Sequence, residues 1–110
     1  MKAITIKQPW ASMIVDGTKV LEIRSWPTNY RGPIAIHAGK EIDRLACQEF
    51  GYDPDRIPRG VVLATAQLTD CADLKVGEWR GFGWSFDIIR KFVRPIPAKG
   101  KLGFWNWEKP

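Results

Sequence analysis

Residues 82–97, FGWSFDIIRKFVRPIP, place Phe82, Trp84, Phe86 and Ile88 at every second position. A period of two marks a β-strand with one buried face. The phase slips at Ile88-Ile89, which predicts a bulge or a strand buried on both faces. Arg94-Pro95-Ile96-Pro97 ends regular pairing, because proline cannot donate to a ladder. Other segments supply partners: AITIK (3–7), Thr18 to Trp26, IAIHA (34–38) stopped by Gly39, VVLATAQLTD (61–70) and LGFWNW (102–107). Val20, Leu21 and Ile23 are the apolar residues available to pack the second of these.

Only two stretches read as helical. In 9–16, Pro9 suits the first helical position and Gly17 the left-handed end. In 42–50, Ile42, Leu45, Ala46 and Phe50 share a face, and Gly51 stops the helix. Residues 27–33, 52–60 and 71–81 read as loops, with Lys75 and Arg80 exposed. Five to six strands with two short helices, outside a βαβ rhythm, favour a closed or nearly closed sheet, which removes exposed strand edges. The predicted fold class is mixed α+β: a small, mostly antiparallel β-barrel with two short helices plugging or flanking it, one domain over 1–110.

At 110 residues and 45% hydrophobic, the chain can bury a core without staples. No apolar run approaches membrane-spanning length, and the N-terminus lacks the long apolar run of a signal peptide; a cytoplasmic location and no membrane association are expected. Cys47 and Cys71 cannot define a disulfide framework. With His37 they are too few for a zinc site, so no metal and no cofactor are expected; Cys47 reads as helix packing. The net charge of +5 favours polyanionic partners.

The segment GTKVLEIRSW (17–26) crowds charge onto a short strand. Alternation puts Glu22, Arg24 and Trp26 on one face, where the carboxylate orients the guanidinium and the indole can stack a base beside it. Lys19 is out of phase and joins them only if it lies in the turn after Gly17. An ion-paired outer strand face is the simpler alternative. Gln8 and Pro9 set Trp10 at a helix start, where free N–H groups can hold an anion or a carbonyl. Trp84 fits an inward position, and one of Trp105 and Trp107 is expected to face opposite the other. His37 reads as a satisfied strand histidine rather than a general base, since no nucleophile is paired with it. Arg90, Lys91, Arg94, Lys99 and Lys101 form a late basic group, either a solvated face or a set of phosphate contacts.

QPWASMIVDGTKVLEIRSWP, RGPIAIHAGK, GVVLATAQLTD and VRPIPAKGKLGFWNW together resemble the activating signal cointegrator homology (ASCH) domain. Its diagnostic Gly-x-Lys-x-x-Glu-x-Arg core is Gly17, Lys19, Glu22 and Arg24. The resemblance implies a PUA-like pseudo-barrel with a cleft lined by the helix–strand turn, and a role on RNA or modified nucleosides. Gln8, Pro9, Trp10, Gly17, Arg24 and Trp26 are then ligand-binding, and Arg90, Lys91, Arg94, Lys99 and Lys101 contact phosphates. Some small members are amidohydrolases that deacetylate N4-acetylcytidine, and ribonuclease activity is reported for others. Those amidohydrolases use the motif lysine, a threonine three positions later and a separate glutamate. Lys19 matches the lysine, whereas the threonine position is Glu22. Two roles follow for Glu22: a general base, with Lys19 holding the oxyanion, or an acceptor for a cytosine-like amino group. A protein-interaction module is a third alternative, with no partner specified.

Overall fold

The computed structural model describes residues 1–110. Its elements, in chain order, are β1 (Lys2–Gln8), α1 (Trp10–Asp16), β2 (Glu22–Arg24), β3 (Gly32–Ile42), α2 (Arg44–Phe50), β4 (Val61–Val76), β5 (Trp79–Pro97) and β6 (Phe104–Asn106). They form one six-stranded sheet in the order β2-β5-β4-β3-β1-β6. Every neighbouring pair is antiparallel except β1 and β3, which are parallel and joined through α1 and β2. The mixed α+β pseudo-barrel is therefore present, with one crossover that strand spacing alone did not suggest. No helix is long and apolar enough to cross a membrane.

The alternation along β3 explains why the sheet is packed on both faces. Ile34, Ile36 and Ala38 point into the larger core with Ile4, Ile6, Leu68 and Trp84. Ala35 points the other way, beside Ala3 and Val62, under Trp105 and Trp107. Small alanines on that face let two indoles lie close to the backbone. Trp105 and Trp107 thus share one side, contrary to expectation: residues two apart on an extended chain face alike.

The two sheet edges, β2 and β6, are drawn together by side chains rather than by a ladder. Trp26 meets Phe104 with ring centroids 5.5 Å apart and Trp84 at 4.7 Å, both edge-on. Trp84 Nε1 donates to Trp26 O at 3.4 Å. Arg24 Nη1 crosses the same seam to donate to Thr5 O on β1 at 3.2 Å.

Several boundaries differ from expectation. The strand expected over 18–26 shrinks to β2, because Gly17 turns left-handed (φ 82°) and Lys19 N stays bonded to Met13 O. Val20 is consequently 77% exposed and Ile23 is exposed too, leaving Leu21 to pack. Pro9 caps α1 from outside rather than opening it. Beyond Gly39, β3 continues to Ile42, so α2 starts after Asp43, whose carboxylate caps Ala46 N. Its buried face is Ala46 and Cys47, while Leu45 and Phe50 are exposed. Residues 71–81 are not a loop: β4 and β5 continue as a hairpin that turns at Gly77-Glu78.

The phase slip has a physical counterpart. Ala66 pairs with Ile88 and Thr65 with Arg90, so Ile89 is an unpaired extra residue, a bulge. A wider interruption spans Phe92 to Pro95, and pairing resumes at Ile96 and Pro97 rather than ending at Arg94.

Candidate functional site

The turn after α1 builds the first cluster. The left-handed Gly17 and the Thr18 Oγ1 bond to Met13 O (3.3 Å) fold the chain back over the helix end. That return brings Lys19, out of phase by alternation, onto Glu22. Lys19 Nζ donates to Glu22 Oε1 at 3.0 Å and also to Leu21 O. On the other side Arg24 Nη1 donates to Glu22 Oε2 at 3.2 Å. The glutamate is only 7% exposed. Each of its oxygens faces a cation, which offsets the desolvation that would otherwise disfavour a buried carboxylate. The ion pair of the outer-strand alternative is thus present, on a buried glutamate rather than on a solvated face.

The triad stands between two recesses. Lys19 and Gly17 line one of about 350 Å³, with Val20 and the Ser85–Ile88 stretch of β5. Arg24 enters the other, a cleft of about 330 Å³ with Thr5, Lys7, Gly39, Lys40, Glu41, Lys101, Leu102 and Gly103. This cleft runs on into a neighbouring hollow of about 300 Å³, through shared Thr5, Gly39, Lys40, Lys101 and Leu102, to reach His37, Gly60, Ala98, Lys99 and Gly100. Lys7, Lys40, Lys99 and Lys101 form no ion pair, and Glu41 is the only carboxylate along the joined cleft. A concave wall of unpaired ammonium groups has a positive potential that an anion relieves.

The other sequence-predicted residues fall elsewhere. Gln8 is fully buried: its Nε2 donates to Ser12 Oγ (2.9 Å) and Pro58 O (2.8 Å), and its Oε1 accepts from Ser12 N (3.0 Å). It thereby occupies one of the helix-start N–H groups expected to be free. Pro9 is buried behind it, and Trp10 packs edge-on against Phe50 of α2 at 5.8 Å. None of the three lines the cleft that Arg24 enters. Trp26 is half-buried in the seam, with the Arg24 guanidinium 5.8 Å from its ring centre.

The late basic group divides in two. Lys99 and Lys101 line the cleft, whereas Arg90, Lys91 and Arg94 surround Phe92 and Val93 on a separate surface. There Lys91 is paired with Asp16 at 2.6 Å. Thr5, Lys7, Gly39, Lys40, Glu41 and Leu102 were missed as cleft residues. A signal for two of them was present: in AITIK, Thr5 and Lys7 share the face opposite Ile4 and Ile6. Parallel pairing then sets Thr5 beside His37.

His37 is 2% exposed and bonded through both nitrogens, to Thr5 Oγ1 (3.1 Å) and Ala98 O (2.7 Å). Burial pushes its pKa below the ordinary histidine value, partly opposed by the Ala98 carbonyl. Cys47 is fully buried, and burial raises its thiol pKa, as expected of a packing residue.

Comparison with known proteins identifies the family. A family model described as "ASCH domain" matches residues 4–95. The chain is similar to activating signal cointegrator 1 of Mus musculus, 36% identical over 127 aligned positions that cover 96% of this chain and 22% of the relative. It is also similar to activating signal cointegrator 1 of Homo sapiens, 34% identical over 84 positions, covering 66% of this chain and 14% of the relative. The chain thus spans less than a quarter of the length of either relative.

Proposed function

The chain belongs to the ASCH domain family, and from that premise we propose that it binds single-stranded RNA or a modified nucleoside in the cleft that Arg24 enters. The observation that carries this function is the set of unpaired lysines, Lys7, Lys40, Lys99 and Lys101, along one concave wall. Phosphate oxygens are the partners such a wall lacks. Arg24 is held by Glu22 and Thr5 O through Nη1 alone, which leaves donors on its other nitrogens for a base edge or phosphate. Its planar guanidinium, backed by Trp26, offers a surface on which a base can stack. Glu22 then positions both cations.

The direct test is titration of fluorescent single-stranded RNA at two salt concentrations. Binding that weakens as salt rises is expected. Undetectable or salt-independent affinity would falsify the phosphate-contact model.

A hydrolase acting on N4-acylated cytidine is the alternative, favoured by one observation. Lys19 gives two of its three N–H groups to Leu21 O and Glu22, keeping a third for an oxyanion beside the recess it lines. In that scheme Glu22 takes a proton from water, the hydroxide attacks the amide carbon and Lys19 stabilises the oxyanion; Glu22 then returns the proton to the cytidine nitrogen as the C–N bond breaks, releasing cytidine and the carboxylic acid. Incubation with N4-acetylcytidine, followed by ultraviolet absorbance, decides it. Turnover abolished by Lys19→Ala supports the enzyme, and no turnover across an acyl-cytidine panel eliminates it.

A further inference from the structure

The connection between β5 and β6, residues 98–103, carries Lys99 and Lys101 along the cleft with little holding it down. Ala98 N donates to Gly60 O at 3.0 Å; from Lys99 until β6 begins, no backbone–backbone hydrogen bond ties the segment to the fold. Its seat is His37. The imidazole Nε2 lies 2.7 Å from Ala98 O. A carbonyl only accepts, so Nε2 carries the hydrogen and Nδ1 is the acceptor. Thr5 Oγ1 therefore donates to Nδ1 (3.1 Å) and accepts from Trp105 Nε1 (3.0 Å). The Trp105 ring closes edge-on to the imidazole at 5.3 Å. Donation runs one way, from Trp105 through Thr5 and His37 to Ala98, which fixes both ring orientation and tautomer.

Gly100 lies directly on this ring. A Cβ at that position would stand 2.6 Å from both His37 Cε1 and Thr5 Oγ1, so only glycine allows the segment to sit so close. The imidazole borders the hollow but is only 2% exposed.

We propose that residues 98–103 form a phosphate-binding strap and that His37 is its positioning residue, setting where Lys99 and Lys101 stand relative to Lys40 and Arg24. The phosphate part rests on the RNA-binding function proposed above; the seating of the strap does not.

Limited trypsin digestion of the full chain tests the seating without any ligand. In His37→Ala and Gly100→Ala, cleavage after Lys99 and Lys101 accelerates about tenfold or more, while cleavage after the exposed Arg56 keeps its wild-type rate. His37→Gln stays near wild type, because its amide N–H can still donate to Ala98 O. Wild-type cleavage rates at Lys99 and Lys101 in both alanine variants overturn the proposal. So does equal acceleration at Arg56 in Gly100→Ala, which keeps the imidazole.

Oligouridine binding over a salt series tests the phosphate role. Lys99→Ala/Lys101→Ala lowers the slope of log affinity against log salt by about 1.4, for two phosphates lost on a single strand. His37→Ala lowers it equally, and the triple variant loses no more. Additive loss in the triple variant overturns the positioning role. Absence of wild-type oligouridine affinity overturns the phosphate role and the function proposed above, while the digestion still decides the seating.

Discussion

Two groups of cations on this chain have opposite settings. Lys19 and Arg24 share one buried carboxylate, so both are ion-paired inside the fold although the set keeps one net positive charge. Lys99 and Lys101, on the strap, share a concave wall with Lys7 and Lys40 and have no carboxylate partner. Paired, buried charge holds architecture: it joins the α1 turn to β2 and, through Arg24, β2 to β1. Unpaired charge in a cleft is available to an external anion. Removing the shared carboxylate should therefore act on stability, and removing the strap lysines on binding.

The largest expected effect is at Glu22. Glu22→Leu leaves two half-buried cations without a counter-charge and should cost about 3 kcal/mol, lowering Tm by more than about 10 °C. Thermal unfolding followed by circular dichroism reads this directly; an unchanged Tm would break the distinction between the two groups. Next is the strap. Lys99→Ala/Lys101→Ala should leave Tm within about 2 °C of wild type, since exposed substitutions change stability little, while lowering the salt slope by about 1.4 as described above. A large fall in Tm would show that the strap lysines also serve the fold.

Between these lies a pH effect. Burial holds the folded His37 pKa below its unfolded value, so the unfolded chain binds the extra proton more readily. The stability that His37 contributes is full above the unfolded pKa of about 6.5 and is lost as pH falls toward the lower folded pKa. Tm should fall from pH 7.5 to pH 5, and His37→Gln should flatten that fall. An identical pH profile in the variant would remove His37 as the cause.

The smallest effects belong to the β5 surface. Asp16→Ala breaks the pair with Lys91, where both side chains are at least a third exposed, and should cost about 0.5 kcal/mol or less by urea denaturation. Arg90→Ala/Arg94→Ala should leave the RNA salt slope unchanged, because these arginines lie on a different surface from the cleft. A slope reduced by about 1.4 would merge the two surfaces into one binding path.

Much of the fold was legible because strand and helix periods are local. Phe82, Trp84, Phe86 and Ile88 announced β5, and the slip at Ile88-Ile89 located its bulge. Gly17 announced both the end of α1 and the turn that lets Lys19 meet Glu22. What failed was of a different kind. The 71–81 hairpin was hidden by its polar, glycine-containing sequence, since a ladder far from the core needs no apolar alternation. Gln8 looked available at a helix start, yet Ser12 and Pro58 satisfy it. Arg90 and Lys101 looked like one group because they are close in sequence, but the return of the chain through Ala98 separates them.

The order of amino acids by itself determined the strand-rich class, the two short helices, the glycine-ended turn and the Lys19, Glu22 and Arg24 set. Only the tertiary structure decided which charges are paired and which are not. Ion pairing depends on which strands become neighbours, as when Arg24 crosses the seam to β1. A cleft exists only where separate elements fail to fill the space between them. His37 shows the division most clearly: its strand position is read from IAIHA, but its hold on Ala98, 61 residues away, comes from the sheet order.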